Sequence, residues 1–405
     1  MDALEVMANL ERVLPHFQPI FSADEHTVIG YEVLGRYQSD TSCESLGHFF
    51  HNDDIPDDFK REVDQVIITK ALEKAIDEQF EGLLFFNQSA RLLMSDQGEQ
   101  LLTTLQQYEQ KGFPLSNIVL ELTQENNLGE EGQLEHFIRY FRTYGVKFAI
   151  SKHGQERIDL KSIANLSPDI IKIDLQSLRY ELGNPTFKEI VYSLSMLARK
   201  IGASLLFEKI EMEFQFQFAW KNGGRFYQGY YLQKPQEVFV EKVLLKDKLK
   251  QLCQKFITHE KAKIEKVQEL ASTLNDKMSE LIPKFKKQEK DYEGLLKQLA
   301  KEFSTMSFRF YVTDENGFQL SPNLFKSGNK WVVYPQYVGK NWSWRPYFLE
   351  NIMKMRTDQR GILSDVYGDI ETSELIRTFA YPIHQHHFLF MDLSFDYLYE
   401  RAELL

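Results

Sequence analysis

Polar side chains able to bind a metal ion or a phosphate recur near the carboxyl ends of short apolar segments in the first half of this sequence. They are Glu32, Asn87, Glu121, Ser151, Lys172, Asp174, Glu208 and Gln228. Carboxylate and amide oxygens suit Mg²⁺ or Mn²⁺ better than zinc. Lys172 and Arg36 add positive charge for a phosphate. We therefore expect a metal-assisted phosphodiester site.

The stretch "VIGYEVLGRY" shows why these residues should converge. Side chains alternate along a strand, so Glu32, Leu34 and Arg36 share one face. Burying a charge without a partner costs several kcal/mol. The sequence allows two interpretations of Glu32 and Arg36. They form a structural ion pair with each other, or both belong to one larger polar site.

Eight apolar segments between residues 14 and 235 alternate with amphipathic stretches, the clearest of which is Phe187 to Ile201. Alternating strands and helices predict a mainly parallel sheet. Polar residues at the strand ends are typical of a closed (β/α)8 barrel, although an open α/β sheet would also gather them. Eight strands favour the barrel, with residues 1–240 as its domain.

Residues 241–303 are charged and predict a helical connector. Apolar residues repeat every three or four positions from Val267 to Phe285, as in a coiled coil, and Pro283 should end the helix. This seam predicts a homodimer, with packing on its own chain as the alternative.

Residues 304–405 predict a small α+β domain whose strand and helix order, with "VTDENG" and "WRPYF", resembles PAS- or Cache-like sensor modules. Aromatic residues surround Arg345 here, namely Trp342, Trp344, Tyr347 and Phe348. They predict either a pocket for an unidentified small ligand or ordinary core packing.

Composition narrows the function classes. Lysine and arginine total 48 against 59 acidic residues, a formal net charge of −11, which argues against DNA or RNA as partners. No apolar run approaches the ~18 residues of a membrane-spanning helix, so we expect no membrane insertion. Two cysteines without metal-ligand spacing fit a cytoplasmic protein.

At residues 14–236 the sequence resembles the EAL-domain cyclic-di-GMP phosphodiesterases. The signature is "YEVLGR", with Glu-Val-Leu in place of Glu-Ala-Leu, and the further matches run in order through "FQPI", "FFNQS", "LELT", "LSPDIIKID", "FEKIE" and "YQGYYLQKP". The resemblance implies a (β/α)8 barrel that binds cyclic di-GMP at the carboxyl ends of its strands.

The resemblance also implies roles for individual residues. Glu32, Asn87 and Glu121 would be metal ligands, Lys172 would contact the attacking water, and Glu208 would be a further catalytic carboxylate. The positions near the ligand would be Gln18, Leu34, Arg36, Asp174, Gln228 and Pro235.

Several positions depart from the family pattern. Ser151-Lys152-His153-Gly154 stands where the family has Asp-Asp-Phe-Gly, so a formal charge of −2 becomes +1. Gln124 replaces a glutamate, with Glu125 beside it, and Lys209 replaces a glycine. Lys152 could neutralise the carboxylates or bind phosphate as a point charge, but it cannot activate water as a metal does.

We therefore expect a cyclic-di-GMP receptor or regulator with an impaired or inactive phosphodiesterase site. The alternatives are an active metal-dependent phosphodiesterase that releases the linear dinucleotide, and a dimeric scaffold that binds no dinucleotide.

Overall fold

The chain divides into two compact units, Met1–Gln254 and Lys255–Leu405. The computed structural model describes residues 2–96, 98–123, 131–152, 160–176, 185–285, 292–346, 348–384 and 386–405. Among these residues no helix combines the length and apolar character needed to cross a membrane. The predicted three-part division at residues 240 and 303 stays a prediction.

The first unit is built on one closed sheet. Its strands are β1 (Val13–Ser22), β2 (Val28–Gln38), β3 (Cys43–Ser45), β4 (Leu83–Ser89), β5 (Ile118–Thr123), β6 (Lys147–Lys152), β7 (Ile170–Asp174), β8 (Ser204–Glu208) and β9 (Gly224–Tyr227). They pair in the order β1-β9-β8-β7-β6-β5-β4-β2-β3, and β1 also pairs with β2, which closes an eight-stranded barrel. The predicted barrel is confirmed.

One strand of the barrel runs against the others. β1 is antiparallel to both β2 and β9, whereas the pairs from β2 through β4 to β9 are parallel. Only residues 23–27 join β1 to β2, and so short a link permits a hairpin but no crossover. The barrel is therefore mixed, which the count of strand segments alone did not predict.

Helices alternate with the strands along the described part of the first unit. They are α1 (Ala3–Ala8), α2 (Gly47–His51), α3 (Asp57–Asp77), α4 (Ala90–Ser95), α5 (Glu99–Gln110), α6 (Glu131–Arg142), α7 (Leu160–Leu166), α8 (Pro185–Ile201) and α9 (Glu213–Lys221). α8 confirms the helix expected from the spacing of apolar residues between 187 and 201. Inside the barrel, the buried side chains of Ile20, Phe85, Val119, Ala149, Ile170 and Leu206 pack into one apolar floor. Burial of a large apolar side chain of this kind contributes about 1.5–3 kcal/mol.

The second unit contains its own sheet. α10 (Lys246–Leu281) contains the unit boundary, and the later helices are α11 (Tyr292–Glu302), α12 (Phe348–Asp358) and α13 (Phe395–Tyr399). The strands are β10 (Ser307–Asp314), β11 (Asn323–Ser327), β12 (Lys330–Tyr334), β13 (Ile362–Leu363), β14 (Tyr367–Gly368), β15 (Leu375–His384) and β16 (His387–Leu393). They form an antiparallel sheet in the order β12-β11-β10-β16-β15-β13, with β14 on β15. A separate α+β domain is thus confirmed, and its PAS- or Cache-like character stays a prediction.

The apolar seam of α10 packs within the second unit. Leu274 and Met278 are fully buried against Leu296, Phe310 and Leu389. The helix ends at Leu281, two residues before Pro283, as expected. Because these seam residues are already covered by their own chain, they offer no free surface to a partner, and the homodimer stays a prediction that this seam does not support.

Candidate functional site

A layer of polar side chains stands above the apolar floor of the barrel. In five parallel strands a polar residue lies two positions beyond a floor residue and so points to the same side. These pairs are Phe85–Asn87, Val119–Glu121, Ala149–Ser151, Ile170–Lys172 and Leu206–Glu208. In the reversed strand β1 the order is inverted, and Gln18 precedes Ile20. This polar layer is the candidate site.

Lys172 lies at the centre of the polar layer and is completely buried. Its Nζ lies 2.6 Å from Oε2 of Glu121, 2.9 Å from Oε2 of Glu32 and 3.0 Å from Oε2 of Glu208. All three carboxylates are themselves buried. The lysine therefore acts as the shared counter-ion of three acidic residues supplied by β2, β5 and β8.

Amide side chains complete the surroundings of Glu32. Nδ2 of Asn87 donates to its Oε1 at 2.8 Å, and Nε2 of Gln228 donates to its Oε2 at 2.7 Å. Gln228 also donates to Oε1 of Gln18 at 3.0 Å. Five residues proposed from sequence thus meet in one hydrogen-bonded network with Lys172. The alternative of an isolated Glu32–Arg36 ion pair is wrong.

Mutual electrostatics set the protonation of this cluster. Burial opposes ionisation of Glu32, but the Lys172 charge and hydrogen bonds from Asn87, Lys172 and Gln228 outweigh it and lower the pKa to about 2. Burial raises the pKa of Glu121 to about 8, aided by the neighbouring carboxylates and opposed by Lys172. Burial also disfavours charge on Lys172, yet the three carboxylates hold its pKa well above the usual value. The Lys172 ammonium is therefore charged at neutral pH.

A second ion pair lies beside this cluster. Nζ of Lys209 donates to Oδ2 of Asp174 at 2.7 Å, and Oδ1 of Asp174 accepts the backbone N–H of Gln176 at 2.7 Å. Lys209 has a φ of 54°, in the left-handed region that favours glycine. The lysine that replaces the family's glycine thus keeps the glycine-like backbone and places a new cation at the barrel mouth.

The remaining predicted ligand-binding residues lie around the mouth. Nη1 of Arg36 donates to the carbonyl of Gly35 at 3.0 Å and to Oγ of Ser45 at 3.2 Å, with no carboxylate at ion-pair distance in the described chain. Leu34 and Arg36 line a cavity that encloses about 470 Å³ and also reaches Glu32 and Asn87. Pro235 is half-buried next to Gln236, whose backbone is hydrogen-bonded to Phe17.

The departures from the family pattern lie at the end of β6. Ser151 is buried and pairs in register with Lys172 of β7, so a hydroxyl stands where the family has a carboxylate. Lys152 belongs to the same strand, but its side chain lies outside what the structure describes. Gln124, Glu125 and His153 also lie outside the described residues.

Sequence reasoning missed part of the cavity wall. Lys60 and Asp64 of α3 line it, and Nε2 of Gln88 donates to Oδ2 of Asp64 at 2.6 Å. Burial raises the pKa of Asp64 to about 7. A lysine and an aspartate four residues apart share a helix face, and this spacing is the only signal the sequence carries for them.

The donor types of the polar layer suit a hard divalent cation, but their arrangement does not. Oε1 of Glu208 and Oε1 of Gln228 are buried without a hydrogen-bond partner in the described structure, as oxygen ligands awaiting a cation would be. However, the described residues contain no group of three or more acidic, histidine or cysteine side chains placed to hold a metal ion. The Lys172 ammonium already contacts the three carboxylates, so we derive no catalytic step through a metal.

Comparison with known proteins identifies the family. Residues 1–235 match the EAL domain, and residues 239–405 match the EAL-domain associated signalling protein domain. The chain belongs to the EAL-domain family. It is 47% identical over 406 residues to the uncharacterized EAL-domain containing protein YkuI of Bacillus subtilis, with both chains covered completely.

Solved and curated relatives of this EAL-domain protein extend the match. The crystal structure of Bacillus subtilis YkuI in complex with cyclic di-GMP and calcium superposes with a TM-score of 0.95 over the whole of both chains. The probable cyclic di-GMP phosphodiesterase PdeG of Escherichia coli is 25% identical over 254 residues, which are 60% of this chain and 48% of PdeG. The YkuI complex shows a relative that was crystallised with a divalent metal ion and the dinucleotide.

Proposed function

We propose that this EAL-domain protein binds cyclic di-GMP at the barrel mouth as a receptor or regulator and hydrolyses it poorly or not at all. The observation that carries the proposal is the buried Lys172 ammonium bound to Glu32, Glu121 and Glu208, beside a strand that ends in Ser151 instead of an aspartate. The polar layer keeps its ligand-facing groups but has lost acidic charge that would hold metal ions.

Binding is assigned to groups that face the mouth. Arg36, free of any carboxylate partner in the described chain, is suited to a ligand phosphate, and Lys152 is proposed as a second cation. Gln18, Leu34, Asp174, Gln228 and Pro235 complete the proposed ligand-binding set. The likeness to YkuI, crystallised with cyclic di-GMP, supports this assignment.

We attribute weak hydrolysis to the changed charge at positions 151 and 152. A unit charge pair ~4 Å apart is worth about 4 kcal/mol at an effective dielectric of 20, and more for a divalent ion. Replacing two aspartates by Ser151 and Lys152 removes two such attractions and adds a positive charge. If Mg²⁺ or Mn²⁺ binds, Glu32, Asn87 and Glu121 are the proposed ligands, and Lys172 and Glu208 the proposed catalytic residues.

The test is a calorimetric titration of cyclic di-GMP into the purified protein with and without Mn²⁺, followed by chromatography for the linear dinucleotide. Binding without metal and without product is expected. Product that forms at a steady rate with Mn²⁺ would contradict the receptor assignment, and absence of binding by a folded protein would leave the scaffold alternative.

The second candidate, an active phosphodiesterase, rests on the unpartnered buried oxygens of Glu208 and Gln228. If the rest of the site is sound, restoring aspartates at positions 151 and 152 should raise turnover at saturating Mn²⁺ well above that of the unmodified chain. A restored variant that binds Mn²⁺ but stays inactive would exclude this candidate.

Three further assignments belong to the same proposal. A cytoplasmic location fits the two free cysteines, Cys43 and Cys253. A homodimer and a small ligand of the second unit are also proposed. Two observations on Arg345 support the proposal of a ligand in the second unit. Its guanidinium stacks on Trp342 at 4.6 Å, and its buried Nε has no hydrogen-bond partner in the described structure. Trp344 is exposed, Phe348 belongs to the core and Tyr347 lies outside the described residues.

A further inference from the structure

The cavity beside the polar layer contains a buried cation that the proposed function has not used. Lys60 of α3 lines this cavity and is only 4% exposed. Its ammonium makes no hydrogen bond and no ion pair with the described residues. The side chain lines the cavity and its ammonium has donors to spare, so a cation in this position is suited to an acceptor supplied by a bound molecule.

The neighbouring cations of the cavity are already engaged. Nη1 and Nη2 of Arg91 donate to the two carboxylate oxygens of Asp57, at 2.7 and 2.8 Å. Arg61 donates to Asp58 at 2.9 Å and to Oγ of Ser95 at 2.5 Å. Arg91 and, more weakly, the charge of Lys60 lower the pKa of Asp57, but no hydrogen bond joins Lys60 to this carboxylate. Lys60 therefore differs from these arginines in having donors to spare.

The character of the wall indicates which ligand group reaches Lys60. Four acidic and four basic side chains line the cavity, so the wall carries no net excess of positive charge for a second phosphate. Its apolar part includes Leu34, Phe50, Ile68, Phe86 and Leu93. A balanced, partly apolar cavity suits a neutral planar base better than an anion. Guanine presents two acceptors on one edge, O6 and N7, to which lysine donates, whereas adenine has an amino donor in place of O6.

We propose that Lys60 binds the O6 and N7 edge of one guanine of the dinucleotide and so contributes to the choice of guanine over adenine. This inference rests on the proposed function, since it names a base-reading residue of the same site. Arg36 remains the proposed phosphate-binding residue near the mouth, and Lys60 of α3 is the proposed contact to the base.

The experiment compares Lys60→Met with Lys74→Met by calorimetric titration of cyclic di-GMP and cyclic di-AMP. Lys74 is on the same helix, pairs with Glu78 at 2.6 Å and does not line the cavity, so its variant removes the same charge elsewhere. Thermal melting of both variants checks the fold, and Lys60→Met should not melt lower than the unmodified protein because it removes an ammonium without a partner. A Lys60→Arg variant retains a donor and tests rescue.

Lys60→Met should weaken cyclic di-GMP binding about 10- to 100-fold and leave cyclic di-AMP binding nearly unchanged, while Lys74→Met binds as before. Equal weakening for both dinucleotides would overturn base reading, and unchanged cyclic di-GMP binding would overturn any contact with Lys60. If the unmodified protein binds neither dinucleotide, the proposed function itself has failed, and this inference with it.

Discussion

Removal of the Lys172 ammonium tests the electrostatic account of the polar layer most directly. Lys172→Met retains most of the buried apolar stem but leaves Glu32, Glu121 and Glu208 without their shared counter-ion. The three contacts of 2.6–3.0 Å join groups that are all buried. Removing one partner of a buried ion pair typically destabilises by about 3–5 kcal/mol, because the remaining charge is left uncompensated. We expect a loss in this range at pH 8.

The loss should depend on pH with a definite sign. Without the ammonium, burial should raise the folded-state pKa of Glu32 above its unfolded value and raise that of Glu121 further. A carboxyl group of this kind costs stability at high pH, and the cost falls as the pH drops and the group takes up a proton. The destabilisation should therefore be clearly smaller at pH 5 than at pH 8.

The measurement is urea unfolding with EDTA present, so that no divalent ion replaces the ammonium, followed by hydrogen exchange mass spectrometry to read the first unit separately. Lys74→Met, which removes a partly exposed helix-surface pair with Glu78, is the control and should cost less than about 0.5 kcal/mol. A Lys172→Met protein within 1 kcal/mol of the unmodified protein at pH 8 would refute the reasoning.

Three other substitutions probe separate parts of the chain. Burial raises the pKa of Asp64 to about 7, so this carboxyl group destabilises the folded state increasingly as the pH rises from about 4 to 7. The stability of Asp64→Asn relative to the unmodified protein, measured by urea unfolding, should therefore increase from pH 5 to pH 8. Arg309 is buried and contacts Asp392 and Asp369 at 2.5 Å each, so Arg309→Met should destabilise the second unit by about 3–5 kcal/mol, and a calorimetric trace without a lowered transition would contradict this. Lys209→Gly should be about 1 kcal/mol more stable than Lys209→Ala, because both lose the ion pair but only glycine suits a φ of 54°; equal denaturation midpoints would argue against backbone strain.

Much of the candidate site could be predicted from the sequence because a strand fixes where its side chains point. Once Glu32, Asn87, Glu121, Lys172 and Glu208 were placed near the ends of parallel strands, their convergence followed from barrel geometry. For Asn87, Glu121, Lys172 and Glu208, the register that sets each of them two positions above an apolar floor residue is the same alternation that identified the strands.

Other features depend on which partner a side chain finds, and no local pattern encodes this. The contacts of Lys172 with three carboxylates were not predicted from the sequence. The seam around Leu274 had coiled-coil spacing, yet its apolar face is satisfied by Phe310 and Leu389 of its own unit. For Lys60 the sequence offers only its spacing of four residues from Asp64, and the cavity shows that it belongs to the site.

The reversed first strand determines where the barrel closes. β1 joins β2 through nine residue pairs but joins β9 through only two, Phe21 with Tyr227 and Ser22 with Phe226. Beside this short junction, the side chain of Gln228 reaches across to Gln18 and Glu32. Few backbone bonds oppose local opening here, so transient separation of β1 from β9 would break the contacts that form the site. A dinucleotide held between Gln18 and Gln228 would bind only the closed barrel, and its affinity would then be coupled to how rarely that junction opens.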